Sequence, residues 1–435
     1  MFWSLGRVSL FRNSNLSVKG LSLLFSIKLI FSIGLVLVYT YYYTDRSYAD
    51  IYKYFDDGKT IYESIHLHPE ATFKIITGIG YDHSDPEIAR ALANTQHFDK
   101  KGDGFMEPNH HLIIRLNAVL CFLSHSNIFI NSLFLCFLSF IGSVALYRAL
   151  EQFFEKVTGY VLILPVFLMP SVLFWSSGPL QETLVISFLG LLVFTSMKLA
   201  SMKNILVNFL LFALFLELLF LAKPFIALSF LISLYVMATF HFKGYIRIIS
   251  MLVASLFVLW FLYAHNTFIC GIMSSLMSKR NDFVALGLKM KAGSLVDSRI
   301  LDGDCLTPLK LTPMGLYDMF FQPFVWSHGL FEKLFGAENL AVVLLSIFTL
   351  FCFKKPKGSK LQLAAFCLTF FMFNYLLIGI TIPIIGALVR YKIFGLLFYL
   401  VFLVCLLDLN KIISIINRSK GLFFFLQRGK KLLFK

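Results

Sequence analysis

Charged residues are scarce in this sequence. Only 14% of its 435 residues are Asp, Glu, Lys or Arg, whereas 58% are hydrophobic. A water-soluble domain with so little charge would expose large apolar patches and aggregate. The composition therefore excludes an ordinary soluble protein and indicates that lipid surrounds most of the chain.

The motifs of soluble catalytic domains are also missing. The sequence contains no phosphate-binding loop, no dinucleotide-binding glycine motif and no CxxC pair among its seven cysteines. Six histidines between residues 66 and 111 follow no metal-ligand spacing, so we expect neither a metal nor another cofactor. Cys270 and Cys305 fall in one predicted outer loop, where an oxidising compartment would allow a disulfide bond.

Long apolar runs take the place of those motifs. A membrane span needs roughly 20 apolar residues to cross about 30 Å. Runs of this kind lie at 21–43, 127–149, 160–176, 182–200, 205–222, 225–241, 246–265, 338–353, 361–380 and 393–408. A further piece, 376–389, either ends the ninth span or forms a re-entrant segment. The predicted fold class is all-α, a polytopic transmembrane helical bundle of about 10–11 spans.

The distribution of Lys and Arg predicts the orientation. Basic residues concentrate in the short segments that become cytoplasmic when the N-terminus is inside, notably 354–360 and 409–435. We therefore predict that both termini are cytoplasmic and that the net charge of +15 is a topology signal, not a nucleic-acid-binding patch. The basic stretch 409–435 is either an amphipathic helix on anionic lipid or a frayed tail.

The predicted organisation is a single transmembrane domain, 1–435, with two long extracytoplasmic loops at 44–126 and 266–337. In the first loop, aromatic and aliphatic residues between Tyr48 and Lys59 recur at helical spacing, which predicts an amphipathic helix along the outer interface. The run 112–124 predicts a second one. Both N-glycosylation sequons are cytoplasmic in this topology, which is compatible with a bacterial inner membrane.

Acids cluster directly after the first span. Asp50, Asp56 and Asp57 lie in the predicted interfacial helix, where a carboxylate can act as a general base toward a hydroxyl group. The alternative is that they are solvated acids on the surface of that helix. Asp50 is nearest to the aromatic stripe and is the strongest catalytic candidate.

Cations occur on the outer side, where the positive-inside rule makes them rare. Lys223 interrupts the turn between two spans, and Arg390 and Lys392 flank Tyr391 before the last span. An anionic partner such as a phosphate would explain them. Snorkelling to lipid headgroups is the alternative. Lys28, inside the first span, is expected to snorkel toward the cytoplasmic end.

Other polar residues stand at predicted span ends. Glu182 opens the fourth span, where it either stabilises the helix N-terminus or binds a sugar hydroxyl. Trp326 and His328 lie just before the eighth span, at the depth of an outer aromatic belt.

Several short motifs resemble the polytopic glycosyltransferases of the GT-C superfold, in particular members from bacterial polysaccharide clusters. The motifs are Ala49–Phe55 (ADIYKYF), Pro170–Gly178 (PSVLFWSSG), Gln322–Trp326 (QPFVW) and Val389–Lys392 (VRYK). The resemblance implies a GT-C-like fold and a polyprenyl-phosphate-linked sugar as donor. It also implies that a first-loop acid, here Asp50, activates the acceptor and that Lys223 or Arg390 binds the donor phosphate.

The leading functional hypothesis is therefore an inverting membrane glycosyltransferase acting on an extracytoplasmic glycan, lipid or protein acceptor. Asp56 and Asp57 are further catalytic candidates, Lys392 is a further phosphate ligand, and the candidate substrate ligands are Glu182, Tyr391, Trp326 and His328. Two alternatives remain open, an O-antigen-type polysaccharide polymerase and a transporter or flippase of lipid-linked glycans.

Overall fold

A computed structural model describes most of the chain. The described residues are 1–42, 46, 49–98, 110–155, 159–240, 244–246, 249–250, 252–253, 256, 260, 264–289, 294–301, 305–327, 329–408 and 411–412. The chain divides into two compact units, residues 1–224 and 225–419. Helices form the regular structure of the described part, which has no β-strand beyond two isolated bridges. The predicted all-α class is confirmed.

The first unit begins with short helices and continues into long ones. Its helices are α1 (Phe2–Leu5), α2 (Ser9–Arg12), α3 (Val18–Tyr41), α4 (Asp50–Glu63), α5 (Pro69–Thr77), α6 (Pro86–Ala91), α7 (His111–Ser124), α8 (Ile128–Glu151), α9 (Pro170–Trp175), α10 (Gln181–Ala200) and α11 (Ile205–Ala222). Short 3₁₀ and π segments add Ser64–His66, Tyr160–Leu162 and Leu164–Leu168.

The second unit has the same character. Its helices are α12 (Pro224–Thr239), which starts at the unit boundary, α13 (Asn266–Lys289), α14 (Thr307–Phe321), α15 (Leu330–Phe351), α16 (Ser359–Thr381), α17 (Ile385–Tyr391) and α18 (Ile393–Leu406). A disulfide bond joins Cys270 to Cys305, so the pairing suggested by the sequence is present.

Six helices in the described part are long and apolar enough to cross a membrane: α3, α8, α10, α11, α15 and α16. The pair α17 and α18, bent by 52°, makes a seventh if it counts as one span. The protein is thus an integral, multi-pass membrane protein with a helical bundle. The estimate of 10–11 spans is not reached within the described residues.

Ten apolar runs were predicted as spans, and seven are found in the described part if α17 and α18 count as one. Three predicted spans account for this difference. The run 160–176 is not one helix but three short pieces, because Pro165 and Pro170 lack the N–H that a continuous helix needs. The run 225–241 forms α12, which has only 16 residues and falls short of a full span. The run 246–265 lies largely outside the described residues.

Close backbone contact holds the first unit together. Helices α8 and α10 approach at Gly142 and Gly190, and a Cβ atom on Gly190 would overlap the carbonyl group of Gly142. Small residues permit such contact between apolar helices, where packing and not hydrophobic exclusion favours association. Ser32 of α3 and Ser132 of α8 add a buried hydrogen bond of 2.8 Å.

The apolar face of α4 packs against protein. The aromatic stripe of α4, including Tyr52, Tyr54 and Phe55, is buried. Gly58 lies against the backbone of α7, next to Asn117. The sequence correctly predicted an amphipathic helix, and the structure shows that its apolar face contacts protein. The placement of α4 along the outer interface stays a prediction.

Candidate functional site

The three predicted catalytic acids share α4 but have different surroundings. Asp57 is buried, and its carboxylate accepts hydrogen bonds from the backbone N–H groups of Gln96 at 2.9 Å, His97 at 2.7 Å and Phe98 at 2.5 Å. Three donors converging on one carboxylate are typical of a structural clamp. Asp57 thus ties the segment that follows α6 to α4.

Asp56 lies on the surface in a two-pronged ion pair. Arg46 donates from Nη2 to Oδ1 at 2.6 Å and from Nε to Oδ2 at 2.8 Å. The hydrogen bonds that Arg46 donates to Asp56 raise the pKa of the Arg46 guanidinium. The same guanidinium lies 3.7 Å from the ring centre of Tyr52. Asp56 therefore fixes the chain just before α4.

Asp50 is the first residue of α4 and is partly exposed. Its Oδ1 lies 3.0 Å from Nζ of Lys53, one turn further along the helix, and 30% of its side chain is accessible. The carboxylate of Asp50 is partly accessible and pairs with a residue of its own helix, whereas the carboxylate of Asp57 is enclosed by backbone donors. A substrate hydroxyl can approach a carboxylate of this kind.

His97 lies near these acids, although no spacing pattern in the sequence had identified it as a site residue. Its backbone is held by Asp57, and its ring interacts electrostatically with Asp57, Asp50 and Asp56. Burial lowers the pKa of the His97 imidazole, while the nearby Asp57 opposes that change. The lowered pKa favours the neutral form of the ring, which can donate and accept hydrogen bonds.

Glu182 and Lys223, predicted separately, meet in the first unit. Oε1 of Glu182 lies 2.6 Å from Nζ of Lys223, and both side chains are almost completely buried. Glu182 is in the first turn of α10, and Lys223 is the extended residue between α11 and α12. Each therefore has an internal counter-charge.

Lys28 is buried near the middle of α3 and donates a 2.6 Å hydrogen bond to Oγ of Ser176. Ser176 follows α9 in the PSVLFWSSG segment, so this turn packs beside the middle of α3. The prediction that Lys28 snorkels to the cytoplasmic end was wrong, because a serine inside the bundle binds its ammonium group.

In the second unit, Lys392 lies at the bend between α17 and α18. Its buried Nζ donates to the carbonyl oxygen of Gln322 at 3.0 Å and to Oδ1 of Asn339 at 2.5 Å. Asn339 in turn donates to the carbonyl groups of Gln322 and Pro323. Asn339 stands next to Glu338 in an otherwise apolar run, which was the signal that could have identified it.

The remaining predicted residues of this unit differ in exposure. Arg390 is buried, with its guanidinium 5.5 Å from the ring centre of Tyr391. Trp326 is largely exposed and stacks on Phe324 at 4.8 Å. His328 lies outside the described residues.

An apolar groove of about 360 Å³ runs between α14, α15, α16 and α18. On α15 its lining extends from Asn339 to Leu350, and aromatic walls come from Phe320, Tyr375 and Tyr399. Tyr399 bonds Ser346 across the groove wall at 2.8 Å. Lys392 contacts the Asn339 end, so the groove has one polar end and one apolar end.

A second, water-sized cavity of about 20 Å³ lies between Arg280, Asp297 and Asp318. Arg280 and Arg299 both donate to Asp297, and the hydrogen bond from Arg299 is the main cause that lowers the pKa of Asp297. Burial, helped by the charge of Asp297, raises the pKa of Asp318 to about 6. No motif or spacing in the sequence had selected these residues.

Comparison with known proteins adds no assignment to this geometry. No family model, no curated protein and no solved structure matches this chain.

Proposed function

We propose that this protein is a membrane glycosyltransferase of GT-C type. It transfers a sugar from a polyprenyl-phosphate donor to a glycan, lipid or protein acceptor on the extracytoplasmic side of a bacterial inner membrane. The observation that carries the proposal is the apolar groove of the second unit with its polar end at Asn339 and Lys392. Such a groove suits a substrate that has a long hydrocarbon chain and a polar head.

The dimensions of the groove support a chain-like ligand. From Asn339 to Leu350 it follows α15 for roughly 16 Å, at about 1.5 Å per residue, which is about half of the hydrocarbon thickness of a bilayer. Its lining is mainly aliphatic and aromatic. A prenyl chain in this position brings its phosphate to the Asn339 end of the groove.

The three predicted phosphate-binding residues have different roles in this proposal. Lys392 is held by Asn339 and by the carbonyl group of Gln322, so its role here is to position Asn339. Arg390, whose planar guanidinium suits two-pronged phosphate binding, is the proposed phosphate ligand. Lys223 is neutralised by Glu182 and is assigned a structural role.

Asp50 is the proposed general base. Its carboxylate accepts the proton of the acceptor hydroxyl while the acceptor oxygen forms a bond to the anomeric carbon of the sugar. The bond between that carbon and the phosphate oxygen breaks, and polyprenyl phosphate leaves with the electron pair. Attack opposite to the leaving phosphate inverts the configuration of the sugar.

The test is incubation of the purified protein with a panel of polyprenyl-phosphate sugars and candidate acceptors, followed by mass spectrometry. Addition of one sugar to an acceptor is the expected result. Long chains of lipid-linked repeats would identify a polymerase instead. Binding of the lipid without any product, together with its movement across reconstituted vesicles, would identify a flippase.

A further inference from the structure

The first predicted loop has an exposed apolar face that the proposed chemistry does not use. Phe73 on α5 is 61% exposed and Leu123 on α7 is 63% exposed. The two helices border a groove of about 390 Å³ whose lining is Ile65, Thr72, Phe73, Ile76, Thr77, Val119, Phe122 and Leu123. None of these residues is charged, so the groove offers no counter-charge to a charged ligand.

A hydrogen-bonded pair sets the depth of α7 relative to the membrane-spanning helix α8. Nδ2 of Asn131 donates to Oδ1 of Asn117 at 3.1 Å and lies 3.7 Å from Sγ of Cys121. Asn131 is the fourth residue of α8. The middle of α7 therefore lies beside the first turn of α8, at the depth where the apolar span begins.

Helical geometry separates the two faces of α7. Asn117, Cys121 and Ser124 share the buried face that contacts α8. Val119 and Leu123 lie on the opposite face and are exposed, and Phe122 is partly exposed there while its ring contacts Tyr62 of α4 at 4.7 Å. An apolar face that stays exposed at this depth is suited to contact with lipid.

The apolar surface also continues into α8. Phe129 and Ile130, in the first turn of that helix, are exposed just as Phe122 and Leu123 are. A tight turn with left-handed residues at His125 and Ser126 joins the two helices. The exposed face of α7 is thus next in sequence and in depth to the exposed start of a span.

We propose that the face formed by Ile65, Phe73, Ile76, Val119, Phe122 and Leu123 is a membrane-docking surface. It lies among the lipids of the leaflet in which α8 begins, with acyl chains in the groove between α5 and α7. Docking fixes α4, which packs on the buried face of α7, at a constant height above the bilayer. This inference is independent of the proposed sugar transfer.

Site-directed spin labelling of the full-length protein tests this surface. Labels at Phe73→Cys and Leu123→Cys are compared with labels at Glu70→Cys and Arg90→Cys, whose native side chains are exposed but polar. The protein is reconstituted in vesicles of phosphatidylethanolamine and phosphatidylglycerol. Collision rates with oxygen, which concentrates in lipid, and with a water-soluble nickel chelate are measured. The unsubstituted protein corrects for its five buried free cysteines.

We expect the ratio of oxygen to nickel collisions to be several-fold higher at Phe73 and Leu123 than at the two control sites. Equal access of the nickel chelate to all four sites would overturn the proposal. Protection of Phe73 and Leu123 from both reagents would overturn it as well, because protein would then cover the face. If either variant fails to fold, Val119→Cys and Phe122→Cys report on the same surface.

Discussion

Nζ of Lys223 lies 2.6 Å from Oε1 of Glu182, and the two side chains are buried together. An ammonium group and a carboxylate in such surroundings neutralise each other, whereas either one alone leaves an uncompensated charge. The pair joins the first turn of α10 to the residue between α11 and α12. Lys223 is therefore an internal structural cation in our account.

The first prediction concerns this pair. Glu182→Gln or Lys223→Met should each lower the free energy of unfolding by about 3–5 kcal/mol, because one charge stays buried without its partner. The double variant should recover most of the loss. Thermal unfolding in detergent measures the effect.

Lys74→Met is the matched control, because Lys74 pairs with Glu70 on the surface and its loss should change stability little. Unchanged stability of the two single variants of the buried pair would show that the pair does not support the fold. If the double variant is stable but has no transfer activity, Lys223 or Glu182 acts in substrate binding and the purely structural role is wrong.

The second prediction separates Asp57 from its neighbours on α4. Asp57→Asn places an amide NH₂ group among three backbone donors, so it should destabilise the protein by about 1–3 kcal/mol. It should also expose residues 86–98 to limited proteolysis. Asp56→Asn, which removes a surface pair with Arg46, should cost no more than about 1 kcal/mol. Equal effects of the two substitutions would argue against the clamp.

The third prediction tests the groove. Val343→Trp fills it, and we expect binding of a radiolabelled polyprenyl phosphate to weaken by about tenfold, which corresponds to about 1.4 kcal/mol. Leu344→Trp, at the next and exposed position of α15, should bind like the wild type. Equal affinity of all three proteins would remove the groove as the site of the lipid chain.

The fourth prediction uses the raised pKa of Asp318. In the folded protein the carboxyl group of Asp318 keeps its proton up to about pH 6. In the unfolded chain the same group releases the proton near its ordinary pKa of 3.8. Stability should therefore fall as the pH rises between these values and should not depend on this group above them.

Asp318→Asn should remove this dependence and make the protein more stable than the wild type at pH 7.5, by about 1 kcal/mol after allowing for solvent screening. Asp297→Asn should have the opposite sign, because Arg280 and Arg299 lose their shared partner. Thermal midpoints at pH 4 and pH 7.5 distinguish the two. If the difference in thermal midpoint between the wild type and Asp318→Asn is the same at pH 4 and at pH 7.5, the assignment is contradicted.

The sequence predicted the membrane class because a run of 20 apolar residues is a local property. Long helices such as α3, α8 and α16 therefore appear close to their expected bounds. The prediction of a span at 160–176 was wrong because it relied on the apolar composition of the run and neglected Pro165 and Pro170, which break the helix. Protein covers the stripe on α4, which the sequence could not show, because periodicity identifies an apolar face but not what covers it.

The candidate site was predictable only in part. The sequence singled out Asp50 among the three acids by its place beside the aromatic stripe, but it did not reveal their partners, which are Lys53 for Asp50, Arg46 for Asp56 and the distant segment 96–98 for Asp57. Glu182 and Lys223 likewise pair across 41 positions. Pairing over such distances depends on tertiary packing, which no local pattern of one sequence encodes.

The most direct test of the central claim is the rate of sugar transfer by purified wild type and by Asp50→Asn, measured with a polyprenyl-phosphate sugar that the wild type uses. Asp50 forms a partly exposed pair with Lys53, so the variant should fold with a stability within about 1 kcal/mol of the wild type. We predict that the folded variant loses at least about a hundredfold in rate, the smallest contribution expected of a general base. A folded Asp50→Asn protein that transfers sugar at the wild-type rate would contradict the account.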